Sequence, residues 1–233
     1  MAKPAKAATG SSLVNIQAEL KKESDDIKNR IQAPTGNFIR CTQDKKFKLP
    51  TGELSAGPLS VVILDFVSVN QFFDRPYKEG ENVPPACFAM GLSPLTLKPD
   101  TSSPDVQSTE CGVCPNNEFG SKGDGKACSN MRVLAVAEPG GDKILLLKVS
   151  ATGIKPFDAY VGQIKSQFDS LPVSVVTEIY FDPNSKYGSL RFGNPIPNPD
   201  LAKHFALRGE ARKLLLTAPD VSKYTAPAKK GKK

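Results

Sequence analysis

The chain has 233 residues and a formal net charge of +7, with 39% hydrophobic and 24% charged residues. This length suits one globular domain with tails and argues against a multi-domain protein. No apolar run approaches the roughly 18 to 20 residues that span a bilayer, and the N-terminus lacks the apolar core of a secretory signal, so we expect no membrane contact and a reducing, cytoplasmic location.

Most of the positive charge lies in the two tails. Residues 1–10 contain two lysines, and residues 219–233 contain five lysines against Asp220, so the tails supply +6 of the +7. Both tails are rich in Ala, Pro and Lys, and we predict that they are disordered. The region between them is almost neutral overall, so binding of a polyanion there requires local clustering of basic side chains.

An amphipathic helix is predicted over residues 11–33. Its apolar residues recur at helical spacing within a charged run, and Ser11 or Ser12 supplies the N-cap. The apolar seam is narrow and needs a neighbour, which is either this domain, a second copy in a homo-oligomer, or another protein. The seam residues are Leu13, Ile16, Leu20, Ile27 and Ile31.

A single domain built mainly of short strands is predicted over residues 34–218. The stretch 58–69 is apolar on both faces, which is typical of a central strand covered on each side. One helix is predicted to open at Pro156, and a last helix to run from Asn198 or Asp200 to residue 216. Strands are predicted at residues 38–42, 46–49, 58–69, 86–92, 132–137, 143–150, 173–181 and 187–192.

This order of elements favours a mainly β, α+β fold with flanking helices. Many short strands with one intervening helix leave few edges exposed when the sheet curls, so an OB-like barrel is the preferred prediction. A β-sandwich is the alternative. The segment 108–130 is predicted to be a loop inserted into the barrel.

Four cysteines dominate that part of the sequence. Cys111 and Cys114 form a C-x-x-C pair, Cys128 follows a glycine-rich stretch, and Cys87 is the nearest remaining thiol. The loop has few apolar side chains and cannot fold around a core of its own, so we predict a tetrahedral zinc as cross-link. An iron–sulfur cluster and unliganded buried thiols are the alternatives.

The ligand set predicts the role of this metal. With cysteine at every position there is no open site for a catalytic water, so a bound zinc would be structural. The fifth cysteine, Cys41, lies in an alternating segment and is predicted to be a free, half-buried thiol.

Basic and aromatic residues interleave in several strands and loops. On a barrel face, aromatic rings can stack on bases while Lys and Arg follow the phosphates of a single strand, although rings in strands are also typical of a core. The loop at Phe72 and Phe73 is the preferred stacking platform, because adjacent rings in a loop are difficult to bury together. The candidate nucleic-acid-binding residues are Arg40, Lys45, Lys46, Lys48, Phe72, Phe73, Arg75, Tyr77, Lys78, Lys122, Lys126, Tyr187 and Arg191.

Enzyme motifs are lacking. The single histidine, His204, is in the last predicted helix, and the glycine-rich segment 120–126 lacks the strand, the helix and the Ser or Thr of a phosphate-binding loop. Asp65, in the middle of the most apolar strand, is predicted to form a structural ion pair with Arg40, Arg132 or Lys148. We therefore expect a protein that is not an enzyme.

Three segments carry a resemblance to a known group of proteins. They are G-x-F-I-R-C-T-Q-D-K-K-F, G-P-L-S-V-V-I-L-D-F and C-x-x-C-P-x-N-x-F-G-S-x-x-x-G-K-A-C-S-N, within residues 34–195. This sequence resembles proteins that tailed bacteriophages encode among their replication and recombination genes, including single-stranded-DNA-binding proteins with an OB-type barrel and an inserted zinc loop. Such proteins commonly end in an acidic tail that recruits partner enzymes, whereas this chain ends in lysines.

The resemblance implies a protein that coats single-stranded DNA in the host cytoplasm during phage replication or recombination, without sequence specificity. The resemblance also implies replication or recombination proteins as partners, and the lysine-rich end argues against their recruitment through the tail. One alternative is a zinc-stabilised interaction module of a replication or transcription accessory factor. Another is a structural phage protein whose basic tails bind packaged DNA.

Overall fold

The computed structural model describes residues 37–76, 83–186 and 188–226. The predicted helix at 11–33 and the tail at 1–10 lie outside these residues, as do Tyr77, Lys78, Tyr187 and the last seven residues. The described part of the chain belongs to a compact unit that begins at Asn37. It contains two α-helices, α1 (Ala151–Phe168) and α2 (Leu201–Leu215).

The described residues contain nine strands that join one sheet in the order β3-β2-β1-β7-β6-β4-β8-β9, with β5 also paired to β4. Strands β1 and β7 are parallel, and the other pairs are antiparallel. The strands are β1 (Phe38–Cys41), β2 (Phe47–Lys48), β3 (Leu54–Ser55), β4 (Leu59–Phe72), β5 (Cys87–Gly91), β6 (Cys128–Ala137), β7 (Leu145–Val149), β8 (Val175–Phe181) and β9 (Leu190–Pro197).

The eight predicted strands are confirmed, with shifted ends. Strand β6 begins at Cys128, four residues before the predicted start, and β9 runs from Leu190 to Pro197 instead of 187–192. The short strand β3 was not predicted. A mostly β fold with two helices is therefore what the described residues adopt, and they form one sheet instead of the two facing sheets of a sandwich.

Strand β4 organises the sheet. It is 14 residues long and pairs with β6 along most of its length, while its first half pairs with β8 and its second half with β5. The register with β6 shifts between Ile63 and Asp65. Such a bulge increases local bend and twist, and the sheet curls into a half-barrel.

Two apolar cores lie on the two faces of the sheet. Alternate residues of β4 divide between them, with Val61 and Ile63 in one core and Val62 and Leu64 in the other. Helix α1 covers the first core and helix α2 covers the second. The prediction of a central strand buried on both sides is confirmed, because this run of β-branched residues supplies apolar side chains to both faces.

Helix α1 begins at Ala151, so the predicted start at Pro156 is wrong by five residues. Proline inside a helix has no amide hydrogen to donate to the carbonyl four residues earlier, here that of Thr152. The hydroxyl of Ser189 donates to this carbonyl at 3.4 Å. A side chain outside the helix therefore compensates for the missing backbone bond and lets the helix continue through the proline.

Helix α2 begins after Asp200, as one of the two predicted caps requires. It supplies the partners of Asp65, whose side chain is only 10% exposed: Arg212 lies 2.7 Å and Arg208 3.6 Å from its carboxylate. The prediction that Arg40, Arg132 or Lys148 pairs with Asp65 is wrong. Those residues are nearer in sequence or in the sheet, but α2 crosses β4 and brings two guanidinium groups to the bulge.

The chain after α2 is described as far as Ala226, within the segment predicted to be disordered from residue 219. The hydroxyl of Tyr224 donates to the carboxylate of Asp74, and the guanidinium of Arg75 lies 5.9 Å from the centre of the Tyr224 ring. A hydrogen bond and a cation–π contact therefore hold this part of the C-terminal segment against the end of β4.

Candidate metal centre and nucleic-acid interface

The four predicted metal ligands surround one small cavity. Cys87 and Cys128 are the first residues of β5 and β6, and both are paired with Phe72 at the end of β4. Cys111 and Cys114 come from the loop between these strands, where Cys111 opens a short 3₁₀ turn. All four are buried and line a cavity of about 20 Å³, which is room for one water-sized sphere.

The four thiols influence one another electrostatically. Burial, and to a smaller extent the nearby sulfurs of Cys111, Cys114 and Cys87, together raise the pKa of Cys128 to about 12. Burial also raises the pKa of Cys111, while a hydrogen bond from the side chain of Asn70 acts in the opposite direction. All four are free thiols, so thiolates in this cavity require a cation to offset their charge.

The loop of residues 92–127, called the cysteine loop below, is held mainly by polar contacts. Asn117 donates to the carbonyl of Cys111 at 2.8 Å, and Asn116 donates to Gln107 at 2.9 Å. The hydroxyl of Ser103 both accepts from and donates to the backbone of Phe88 in β5, at 3.1 Å each. Its apolar support is a three-residue cluster of Ala89, Leu97 and Cys111.

The donor set of the cavity and the positions of its sulfurs differ in how well they suit a metal. Four thiols around a single cavity are the ligands that zinc and iron–sulfur clusters take. Within the described ranges, however, no group of three or more His, Cys, Asp or Glu side chains has an arrangement that would hold a metal ion. The donor chemistry fits a metal, while the sulfur positions are not those of a ready coordination shell.

A large cleft lies beside the cysteine cavity. It has a volume of about 880 Å³ and shares Asn70, Asn117 and Cys128 with that cavity. Its walls are the start of β6, the end of β7, the first residues of α1 and the cysteine loop. The lining residues are Asn70, Pro94, Asn117, Phe119, Gly125, Lys126, Cys128, Ser129, Asn130, Met131, Arg132, Lys148, Ser150, Ala151, Ile154 and Lys155.

The cleft is basic. Lys126, Arg132, Lys148 and Lys155 line it, and among the described residues that line it there is no Asp or Glu. Arg132 is the most firmly held, because its side chain is only 9% exposed and its guanidinium makes two hydrogen bonds to Asp158, at 3.2 and 2.9 Å. Those bonds use Nε and one terminal nitrogen, so the other terminal nitrogen keeps its hydrogens for a ligand.

The N-terminus of α1 adds to this positive potential. Ser150 and Ala151 line the cleft, and the first turn of the 18-residue helix carries no acidic side chain. The unpaired amides of a first turn and the helix dipole attract anions, and Lys155 lies one turn further along. This corner of the cleft is therefore suited to a phosphate.

The opposite wall presents an aromatic ring. Phe119 is 81% exposed, and the ammonium of Lys126 lies 5.0 Å from the centre of the ring. Lys126 also donates to Asn117 at 3.4 Å, which ties it to the cysteine loop. An exposed ring beside a cation can stack on a planar ligand, because burial against the ligand removes its apolar face from water.

The predicted nucleic-acid-binding residues are dispersed. Lys126 is the one that lines the cleft among those the structure describes. Phe72 lines the cysteine cavity, and Phe73 is 37% exposed next to it. Arg40, Lys48 and Lys122 are exposed elsewhere, while Lys45, Lys46, Arg75 and Arg191 contact protein groups.

Contacts explain why some predicted residues are less available to a ligand. Arg191 makes an ion pair with Asp182 at 2.6 Å, and Lys46 makes one with Asp44 at 2.7 Å. Cys41 is a free cysteine at the end of β1, as predicted, and its surroundings are mixed: the residue is exposed overall, while burial of the thiol raises its pKa to about 11.

Several residues that line the cleft were not predicted from the sequence as ligand-binding residues. Phe119 carried a usable signal, because a lone aromatic residue in a glycine-rich loop has nothing to be buried against. The sequence holds no such signal for Asn130, Arg132 and Lys155, since their nearness to one another depends on how β6 and α1 pack.

Comparison of the chain with family models, curated proteins and solved structures found no match. No helix in the described residues has both the length and the apolarity to cross a bilayer.

Proposed function

We propose that this protein binds single-stranded DNA in the basic cleft. The observation that carries the proposal is a cleft with four cationic side chains, no acidic side chain among its described lining residues, and an exposed phenylalanine on one wall. Cations meet the phosphates of a strand, and a stacked ring needs an unpaired base, which duplex DNA does not offer. The resemblance to phage proteins supports DNA as the polymer, with a role in replication or recombination.

The connectivity of the strands supports an OB-type barrel for this function. Apart from the five-residue strand β5, which lies between β4 and β6 in the chain, the order β4-β6-β7-α1-β8-β9 is three strands, a helix and two strands, and the first strand pairs with the second and the fourth. OB folds bind oligonucleotides on their second and third strands, beside the loop that joins the first two. Here those elements are β6, β7 and the cysteine loop, and the cleft lies among them.

In this proposal, different walls of the cleft bind different parts of the DNA strand. The N-terminus of α1, Lys155 and the free nitrogen of Arg132 bind one phosphate, and Lys148 binds a neighbouring one. Phe119 stacks on a base, while Lys126 stays over the ring and near the backbone of the strand. Phosphate contacts and ring stacking depend on charge and on a planar base of any kind, so we expect strong salt dependence and little sequence preference.

We also propose that Cys87, Cys111, Cys114 and Cys128 hold a zinc ion. The support is the four buried thiols around one cavity and a loop that has little apolar packing. With four thiolate ligands the ion would supply a structural cross-link and no reactive water. The cross-link would fix the wall that carries Phe119 and Lys126 relative to β6.

Charge reversal at the two ends of α1 tests the DNA site. Lys155 lines the cleft, whereas Lys165 lies exposed in the last turn of the same helix and is a matched control. We expect Lys155→Glu to weaken binding of labelled oligo-dT by about tenfold and to lower the salt slope by about 1. Lys165→Glu should leave both quantities unchanged. Fluorescence anisotropy at two salt concentrations measures them, with a duplex of equal length as comparison.

Three results would count against this proposal. Wild-type protein that fails to bind oligo-dT at low salt would exclude it. Equal effects of the two substitutions would move the binding surface away from the cleft. Equal binding of duplex that disappears when residues 227–233 are removed would assign the affinity to the lysine-rich end, as expected of a structural DNA-associated protein.

A further inference from the structure

Two basic residues outside the cleft continue its positive charge across the sheet. Arg40 in β1 is directly paired with Lys48 in the antiparallel strand β2. On its other side β1 runs parallel to β7, with Ile39 paired to Leu147, so Arg40 is the residue that follows beside Lys148. Lys148, Arg40 and Lys48 therefore form a row across three adjacent strands, called the basic row below.

The three side chains of the basic row are on one face of the sheet. Successive residues of a strand point to opposite faces, and the residue before each member of the row belongs to the core that α1 covers. Those three core residues are Ile39, Phe47 and Leu147. The ammonium of Lys148 lies 5.2 Å from the centre of the Phe38 ring, on the same face. All three members of the row are exposed, so a ligand can reach them.

The basic row lacks a counter-charge within the described part of the chain. None of its members forms an ion pair with a residue that the structure describes. Like charges directly opposite each other on paired strands are destabilising. Burial, and to a smaller extent the charge of Arg40, lower the pKa of Lys148. An anion bound along the row would offset this repulsion.

The basic row begins at the cleft. Lys148 lines the cleft and is also the first member of the row. Neighbouring strands lie about 4.8 Å apart, so the row extends roughly 10 Å beyond Lys148. At the spacing of stacked bases this distance corresponds to roughly two or three nucleotides. One DNA strand can therefore contact the cleft and the row together.

We propose that the basic row is a second contact surface for the DNA strand, which passes Lys148 and crosses β1 and β2 at Arg40 and Lys48. The inference rests on the proposed binding of single-stranded DNA in the cleft. A polyanion suits this surface better than a small anion does, because its phosphates meet several cations in a line. Strands β1 and β2 precede the strands compared above with an OB-type barrel, so the row would lengthen the binding site.

The experiment compares oligo-dT of about 4 nucleotides, which the cleft can bind by itself, with oligo-dT of about 16 nucleotides, which also reaches the row. For Lys48→Glu we expect about fivefold weaker binding of the longer strand and a salt slope lower by about 1, with less than about twofold change for the shorter strand. Fluorescence anisotropy measures the longer strand, and competition against it measures the shorter one.

Lys143→Glu is the matched control. Lys143 is exposed and lies two residues before β7, at the other end of this strand from Lys148. The substitution changes the net charge equally and should leave both affinities unchanged at an ionic strength of about 0.15 M, where distant charges are screened. Lys48→Glu places opposite charges in its pair with Arg40, so its melting temperature should not fall.

The outcomes separate this inference from the function on which it rests. Wild-type protein that binds neither strand overturns both. Binding that Lys155→Glu weakens, but that Lys48→Glu changes no more than Lys143→Glu does, overturns the role of the basic row alone. Equal losses for the two lengths, with a lower melting temperature, would assign Lys48 a structural role and also overturn it. A loss confined to the longer strand, with Arg40→Glu weakening that strand as well, supports the inference.

Discussion

The curled sheet and the cysteine loop are stabilised in different ways. The sheet has an extensive apolar core on each face, closed by α1 and α2. The cysteine loop has short 3₁₀ turns, a three-residue apolar cluster and several side-chain hydrogen bonds, with four thiols where it meets the sheet. Regular strands can rely on burial of apolar area, whereas this loop relies on side-chain hydrogen bonds, to which the proposed zinc ion would add a cross-link.

Loss of the proposed zinc ion should give the largest effect, confined to the loop. Structural zinc contributes on the order of 10–16 kcal/mol in small peptides, so its removal should release the loop while the sheet persists. For Cys111→Ser we expect loss of stoichiometric zinc and rapid proteolysis within residues 92–127. Elemental analysis and limited proteolysis measure these, and far-UV circular dichroism should change little.

Cys41→Ser is the matched control, since Cys41 is a free cysteine at the end of β1 and does not line the cysteine cavity. It should keep both the metal and the protease resistance. Wild-type protein that contains no zinc and takes up none would contradict the proposed metal centre, and a loop that stays protected without zinc would contradict the contrast between the two regions.

A core substitution in α1 should have the next largest effect, and it should be global. Phe157 is fully buried and makes edge-to-face contacts with Phe66 and Phe192, at 4.9 and 5.1 Å between ring centres. We expect Phe157→Ala to lower the free energy of unfolding by about 3–5 kcal/mol, because it leaves a cavity in the core. Urea denaturation measures this value, and the zinc content of the folded variant should equal that of wild type.

Phe168→Ala, at the exposed end of the same helix, provides the comparison. Its effect should lie within about 0.5 kcal/mol, as for other surface substitutions. Similar losses for the two variants would mean that burial on the α1 face does not stabilise the sheet.

The smallest expected effect tests the polar fastening of the loop. Ser103 is buried, and its hydroxyl bonds both the amide and the carbonyl of Phe88. Ser103→Ala should lower local stability by about 1 kcal/mol, seen as roughly fivefold faster hydrogen exchange of the Phe88 amide. The neighbouring Ser102→Ala, an exposed site, should leave that amide unchanged. Equal exchange rates in the two variants would show that this hydroxyl does not secure the loop to β5.

Regular elements could be predicted because their signals are local. The β-branched run of β4 predicted a strand buried on both faces, and apolar spacing predicted both helices of the described region. The start of α1 was missed, because the compensating hydroxyl of Ser189 comes from a residue 37 positions away in sequence. Likewise, Arg212, which hydrogen-bonds to Asp65, lies 147 positions away in α2, beyond the reach of any local pattern.

The number of thiols, the strand pattern and the low net charge of the region between the tails follow from the amino-acid sequence alone. Where the cations gather depends on the tertiary structure, because the cleft joins residues from the cysteine loop, β6, β7 and α1. The sequence gives the charge of a lysine but not its place in the folded protein. The pairing of β4 with β6 and the packing of α1 supply that position, and they set Lys155, Arg132 and Asn130 around a single cleft.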